Sequence, residues 1–287
     1  MKERLKPLLY SVLSHPPVKQ CLEAIPYASR VLPSYHRTHP FDRQYGIDTS
    51  GVVPVEMITS DKILSRKINP YGASQPSIIR RAITALGAVD DYEFIDLGCG
   101  KGRAMVVASE FPFLRISGIE LSPDLTKVAR RNIATLQRDF PARPPVEAVE
   151  GNAITFPFPK AKLVLFFCHS FGEELLSQLI GNLEAAISSG IGPIFFVYYN
   201  PVHGNVLDNS PAFARFFADT LPYDKRELGF GPDSEDTIVI WRSRGRTTMA
   251  SHPHADRSII ITKPLWRADL AGSSTRRASA DATGRSE

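Results

Sequence analysis

Two carboxylates and a run of glycines carry most of the chemistry legible in this sequence. Asp96 stands inside Phe94-Ile95-Asp96-Leu97, an apolar run that reads as a buried parallel strand, and Gly98-Cys99-Gly100-Lys101-Gly102 follows at once. Glycines at alternate positions let the backbone turn sharply and approach a ligand with no Cβ in the way. Glu120 closes a second such run, Ile116-Ser117-Gly118-Ile119, and a carboxylate at a strand end can accept both ribose hydroxyls of an adenosine. The expected chemistry is nucleoside binding at the carboxyl edge of a parallel sheet, in the corner where the glycines open into the apolar helix 104–108.

The spacing narrows the ligand. A dinucleotide fingerprint is Gly-x-Gly-x-x-Gly, with the pyrophosphate on the helix N-terminus. Here residues 96–102 read Asp-x-Gly-x-Gly-x-Gly, which disfavours a nicotinamide oxidoreductase. With Glu120 at the next strand end and Ser122-Pro123 behind it as helix cap and first helical residue, the pattern resembles the class I, seven-strand S-adenosylmethionine-dependent methyltransferases. The resemblance implies S-adenosyl-L-methionine as cofactor, with Asp96 near its amino-acid end and Gly98, Cys99, Gly100 and Gly102 packed beside it. Glu120 would take the ribose with Leu121 next to it, and Asn152-Ala153 would meet the adenine. Members of the family usually have Asp-Ala at that last place, and Asn152 keeps an acceptor oxygen for the adenine amine. Tyr71 lies in a loop ahead of the helix that leads to the first strand. That loop has a weaker resemblance to the lid of seven-strand protein-lysine methyltransferases, which closes over the methionine end; a plain loop with a packed tyrosine is the other reading.

Two further strand ends are candidates for the transfer step. The continuous apolar run 162–167 delivers Cys168-His169-Ser170-Phe171 to the cleft, where residues of the family commonly face the transferred methyl. Related bacterial proteins carry Asn-Pro-Phe where this chain has His169-Ser170-Phe171. His169 is the candidate base or acceptor-orienting residue, and Asn200, ending the run 193–199, is its partner at the same edge. The function implied is methyl transfer from S-adenosylmethionine to an unidentified acceptor, a protein side chain or a small molecule. The alternative is a regulatory or scaffold protein that binds the cofactor without turnover.

These residues need a doubly wound α/β frame to hold them. Runs 94–97, 116–120, 146–149, 162–167 and 193–199 read as parallel strands, and amphipathic patterns over 78–86, 125–138 and 172–188 as helices between them. A short helix is expected over 212–219, then a closing strand pair, 223–230 and 237–241, around Gly231-Pro232-Asp233. The fold expected is α/β, with a mainly parallel seven-stranded sheet, helices on both faces, an N-terminal extension and a disordered C-terminal tail. The boundaries are 1–67 for the extension, 68–242 for the methyltransferase-like domain and 243–287 for the tail.

Composition excludes several other classes. A hydrophobic share of 43% with 22% charged residues is that of a globular protein, and no apolar run reaches the length of a membrane span. The net charge of +4 is concentrated at the end: from Arg242 onward there are nine Lys/Arg against four Asp/Glu. The body has no basic stripe interleaved with aromatics, so nucleic acid is not the expected partner. Cys21, Cys99 and Cys168 are scattered with no Cys-x-x-Cys, which points to a reducing, cytoplasmic setting and away from zinc. His36 and His39 have no third ligand nearby, so no metal site is expected. Residues 1–13 read as an amphipathic helix docked on the protein's own body, with peripheral membrane contact as the alternative. Past Trp241 the pattern dissolves, and the tail is expected to be dispensable.

Overall fold

In the computed structural model, which describes residues 37–231, 233–244 and 253–257, the chain enters through helix α1 (Pro40–Tyr45). A two-stranded antiparallel ribbon follows, β1 (Val52–Val53) with β2 (Tyr71–Gly72), around the short helix α2 (Val55–Ile58). The His39 side chain caps α1 by accepting the Phe41 N–H at 3.1 Å, and Pro40 takes the first helical position, where its missing N–H costs nothing. Phe41, Tyr45 and Ile47 are buried in the main core, so this part of the extension is bound to the domain by packing.

Helix α3 (Pro76–Ala85) leads to strand β3 (Tyr92–Leu97), and helix α4 (Arg103–Ala108) joins β3 to β4 (Arg115–Glu120). Helix α5 (Pro123–Asp139), β5 (Val146–Glu150), β6 (Lys162–Phe167), helix α6 (Glu173–Ser188) and β7 (Ile194–Tyr199) complete the alternating part. Helix α7 (Asn205–Asp208) precedes the hairpin β8 (Phe213–Pro222) and β9 (Glu235–Ser243). The large sheet runs β5-β4-β3-β6-β7-β9-β8, parallel except for β9, which is antiparallel to both its neighbours.

This mainly parallel seven-stranded order is the one that the resemblance to the class I methyltransferases implies. The order reverses between β4 and β6 on either side of β3, and a doubly wound sheet binds its ligands at such a switch point. Helices α3, α4 and α5 cover one face through Ile79, Val106 and Ile133, while α6 covers the other through Leu176, Leu179 and Leu183. Strands buried on both faces must be apolar throughout, which is why β6 beyond its exposed Lys162, and all of β7, read as unbroken apolar runs.

Two expectations fail at the hairpin. Residues 213–222 form strand β8 in place of a helix over 212–219, and residues 223–230 are turns in place of a strand. The four-residue spacing of Phe213 and Phe217 imitates a helical stripe, but a β-bulge between Arg215 and Phe217 turns the two rings to opposite faces of the sheet, each buried in a different core cluster. The turns after Pro222 are fixed by side chains: Tyr223 donates its hydroxyl to Asp236, and Glu227 accepts from the Ser77 N–H at 2.8 Å.

Part of the expected free tail is docked. The His254 carbonyl accepts the Ala218 N–H on β8 at 2.9 Å, Ala255 is buried, and Arg257 pairs with Asp219 at 2.5 Å. The helix expected over 1–13 and the cysteine at position 21 lie outside the described residues. Among the described residues no helix is long and apolar enough to cross a membrane, and no group of three His, Cys, Asp or Glu could hold a metal ion.

Candidate functional site

The glycine turn is fastened to the next strand before any ligand arrives. Gly98 and Cys99 both donate their N–H groups to the Ile119 carbonyl, at 2.9 and 3.0 Å. Gly98 has φ +82° and Gly100 φ +54°, backbone that disfavours any side chain. Each position is also crowded: a Cβ on Gly98 would come 2.5 Å from Ser170 Oγ, and one on Gly100 would come 2.1 Å from the Tyr71 ring.

Around this turn lies a cleft of about 1030 Å³, part of it open to solvent. Asp96 and Glu120 both line it, from the carboxyl ends of adjacent strands. Asp96 is buried, and among the described residues no donor reaches its carboxylate; burial, and then the Glu120 charge, hold its pKa well above the ordinary carboxylate value. Glu120 accepts the Ser122 N–H on one oxygen at 2.9 Å and the Gly100 N–H on the other at 2.8 Å. Burial raises its pKa, and those backbone bonds oppose the rise. Each oxygen keeps a lone pair for a further donor.

Of the residues read as cofactor contacts, Tyr71, Asp96, Gly98, Cys99, Glu120, Leu121, Asn152 and Ala153 line the cleft. Gly100 and Gly102 shape the turn behind its wall. Asn152 turns its Oδ1 to the Ile154 N–H at 2.9 Å, so one of its lone pairs is engaged locally. The Tyr71 hydroxyl donates to the Thr49 carbonyl at 2.7 Å, which anchors its ring beside the glycines.

His169 and Asn200 are brought to the same sheet edge but stand outside the cleft wall. The wall after β6 is made by Cys168, Ser170 and Phe171. His169 Nδ1 lies 3.1 Å from the Tyr198 hydroxyl, and its ring is 5.3 Å from that of His203. Asn200 donates its N–H to the Thr237 carbonyl at 2.8 Å. Among the described residues these two are the non-glycine residues with positive φ, +47° and +51°. Asparagine takes this conformation at little cost, whereas for His169 it is uncommon and is held by the surroundings, a feature that concentrates at functional sites.

Sequence reasoning missed Arg103, Asn69 and Ser74, all on the cleft wall. Arg103 follows the last glycine directly, but nothing local announces its burial: only 4% of it is exposed, against an Asp42 that is buried completely. Ile58 and Leu64 from the extension also line the cleft. Asn69 ties this side to the loop after β6, its N–H donating to the Ser170 carbonyl at 2.9 Å and its Nδ2 to the His169 carbonyl at 2.8 Å.

Comparison with known proteins agrees with this frame. Residues 94–190, from β3 to just beyond α6, match the family model described as a methyltransferase domain. The match covers about a third of the chain and makes that stretch similar to the methyltransferase domain. No curated protein matches the sequence. Similar solved structures include TrmN from Thermus thermophilus, 13% identical at a TM-score of 0.44 over 59% of this chain and 49% of that one. An RNA methyltransferase from Salinibacter ruber in complex with S-adenosyl-L-homocysteine is 19% identical, at a TM-score of 0.40 over 63% of this chain and 99% of that one. An O-methyltransferase from Bacillus cereus, also in complex with S-adenosyl-L-homocysteine, is 12% identical at a TM-score of 0.43 over 60% and 83%. The chain thus spans about half of the Thermus protein, and at these levels the resemblances say nothing of what it acts on.

Proposed function

We propose that the protein is an S-adenosyl-L-methionine-dependent methyltransferase acting on a protein side chain or a small molecule, with residues 68–242 as its domain and the cytoplasm as its setting. The observation that carries this reading is the pair of buried carboxylates, Asp96 and Glu120, lining one cleft at neighbouring strand ends around a glycine turn. Glu120, already fixed by two backbone N–H groups, is suited to accept the ribose hydroxyls, and Asp96 to meet the ammonium of the amino-acid end. A cationic ligand there would also relieve the raised pKa of Asp96 by favouring its charged form. Leu121 and Ala153 would flank the adenine, and Asn152 would accept from its amine.

S-adenosylmethionine supplies a methyl already activated for in-line displacement. Alignment by the protein can then contribute roughly 7–11 kcal/mol, and a base matters only for an acceptor that must lose a proton. We assign His169 and Asn200 to the acceptor side, because both take the left-handed conformation at the ends of β6 and β7. The acceptor would approach over the loop 168–171, with His169 orienting it or taking its proton.

Nucleic acid is not the acceptor we favour, since the body of the chain has no basic stripe. A reading as a cofactor-binding protein without turnover is favoured by one observation, that neither His169 nor Asn200 lines the cleft. Calorimetry with S-adenosylmethionine, using NAD as the control ligand, tests the binding reading. Methyl-labelled cofactor with fractionated lysate tests turnover, and binding without any transferred label would select the second reading.

A further inference from the structure

Resting on that reading of the cleft, we propose that Arg103 is the receptor for the carboxylate of the cofactor's amino-acid end. Two groups of opposite charge, Asp96 and Arg103, line the same cleft, and both are nearly sealed from solvent, at 3% and 4% exposure. An α-amino acid presents one ammonium and one carboxylate. Two buried groups of opposite sign on one cavity complement such a zwitterion, and neither would be needed for the nucleoside half of the ligand.

The guanidinium is held but not saturated. Its Nε donates to Thr49 Oγ1 at 2.7 Å, a normal bond. The terminal nitrogens make only long contacts, to the Ser74 carbonyl, Asp42 Oδ1 and Ser50 Oγ, each at 3.4 Å. Those lie beyond the usual N–H···O range, so the outer edge of the fork retains donors for a carboxylate. Asp42, the nearest anion, is committed elsewhere. It accepts the Thr49 N–H at 2.8 Å, the Ser50 hydroxyl at 2.6 Å and the Thr49 hydroxyl. Asp42 therefore balances the buried charge of Arg103 without closing the fork. Segment 39–51 is fastened to the glycine turn at two more points: Lys101 Nζ bonds the Ser50 carbonyl at 2.8 Å, and Asn132 Nδ2 bonds the Asp48 and Lys101 carbonyls at 2.8 and 2.9 Å. The fork is thus positioned before the ligand arrives.

The test compares two ligands that differ only in the carboxylate, S-adenosylmethionine and its decarboxylated form, by calorimetry on the full chain. The wild type should bind the decarboxylated form roughly 10- to 100-fold more weakly, the range of one charge-assisted contact. Arg103→Gln should lose that much affinity for S-adenosylmethionine and keep its affinity for the decarboxylated form within twofold. Arg103→Lys, which keeps the buried cation beside Asp42, should fold if the glutamine variant does not, and should show a ratio between those of wild type and glutamine. Equal binding of the two ligands by the wild type overturns the proposal, as does an equal loss for both ligands in either variant, which is what a structural role would give. If the wild type binds neither ligand, the reading of the cleft itself fails.

Discussion

The Tyr71 ring occupies the space in which a side chain on residue 100 would have to lie: a Cβ on Gly100 would come 2.1 Å from it. Gly100→Ala must therefore strain a φ of +54° and also expel the ring, breaking the Tyr71–Thr49 bond. We expect a lower melting temperature and at least tenfold weaker binding of S-adenosylmethionine. In a Tyr71→Ala background the same change should cost only the backbone strain, about 1–2 kcal/mol. Equal costs in the two backgrounds would reject the contact as the cause.

Glu120→Ala removes an acceptor that the Gly100 and Ser122 N–H groups already use, together with the proposed ribose bonds. Each bond to the charged carboxylate contributes about 1.5–3 kcal/mol, so affinity for S-adenosylmethionine should fall at least tenfold. Unchanged affinity by calorimetry would refute the ribose assignment.

Strands β3 to β7 and helices α3, α5 and α6 were legible because burial on two faces, or on one stripe, writes a local pattern into the chain. The Asp96, glycine and Glu120 cluster was legible for the same reason, as a motif of strand ends and tight turns. Strand β8 was not, because the spacing of Phe213 and Phe217 is equally helical and only pairing with β9 decides it. Arg103 was not either: its partners Thr49 and Asp42 lie 54 and 61 residues away, and burial of a charge leaves no mark on its neighbours in sequence. The side-chain direction of His169 was likewise beyond the pattern, being set by Tyr198 on the adjacent strand.

Residues 253–257 contribute to the edge of the sheet. Truncation after Arg246 should expose the Ala218 N–H and leave Asp219 without Arg257, lowering the melting temperature by a few degrees while cofactor binding, at the far side of the sheet, stays within twofold. An unchanged melting temperature would show that this docking adds nothing to stability.

His39 should make the fold sensitive to acid. Burial, and then the charge of Arg103, lower its pKa from the ordinary 6.5 to about 4, so it is neutral in the folded state while its Nδ1 caps α1 and Nε2 lies 3.1 Å from Gln75 Oε1. The unfolded chain binds the proton first, so stability is complete above pH 6.5 and is lost as pH falls towards 4, by about 3 kcal/mol in all. Asp236, raised to about 6 by burial, works in the opposite sense, losing stability as pH rises from 3.8 to 6. The difference between wild type and His39→Asn, which can still cap the helix but cannot titrate, isolates the histidine. Urea melts at pH 7 and pH 4.5 should show the wild type losing roughly 2–3 kcal/mol more than the variant, and parallel losses would reject the assignment.

His169 separates the enzyme from the binding protein. Its imidazole lies outside the cleft wall, so His169→Ala should leave affinity for S-adenosylmethionine within twofold. If it orients or deprotonates the acceptor, single-turnover methylation should fall by ~10²–10⁴-fold, the range for a lost general base. The alanine change also removes the Tyr198 contact and puts a less tolerant residue at φ +47°, so stability will fall for reasons unrelated to chemistry. His169→Asn controls for this, because asparagine accepts the left-handed conformation and keeps a polar partner for Tyr198. The expected result is a stable asparagine variant that binds cofactor normally and is as slow as the alanine one. A folded His169→Asn or His169→Ala protein with wild-type turnover would remove His169 from the acceptor site and leave its strain to be explained by packing against Tyr198 and His203.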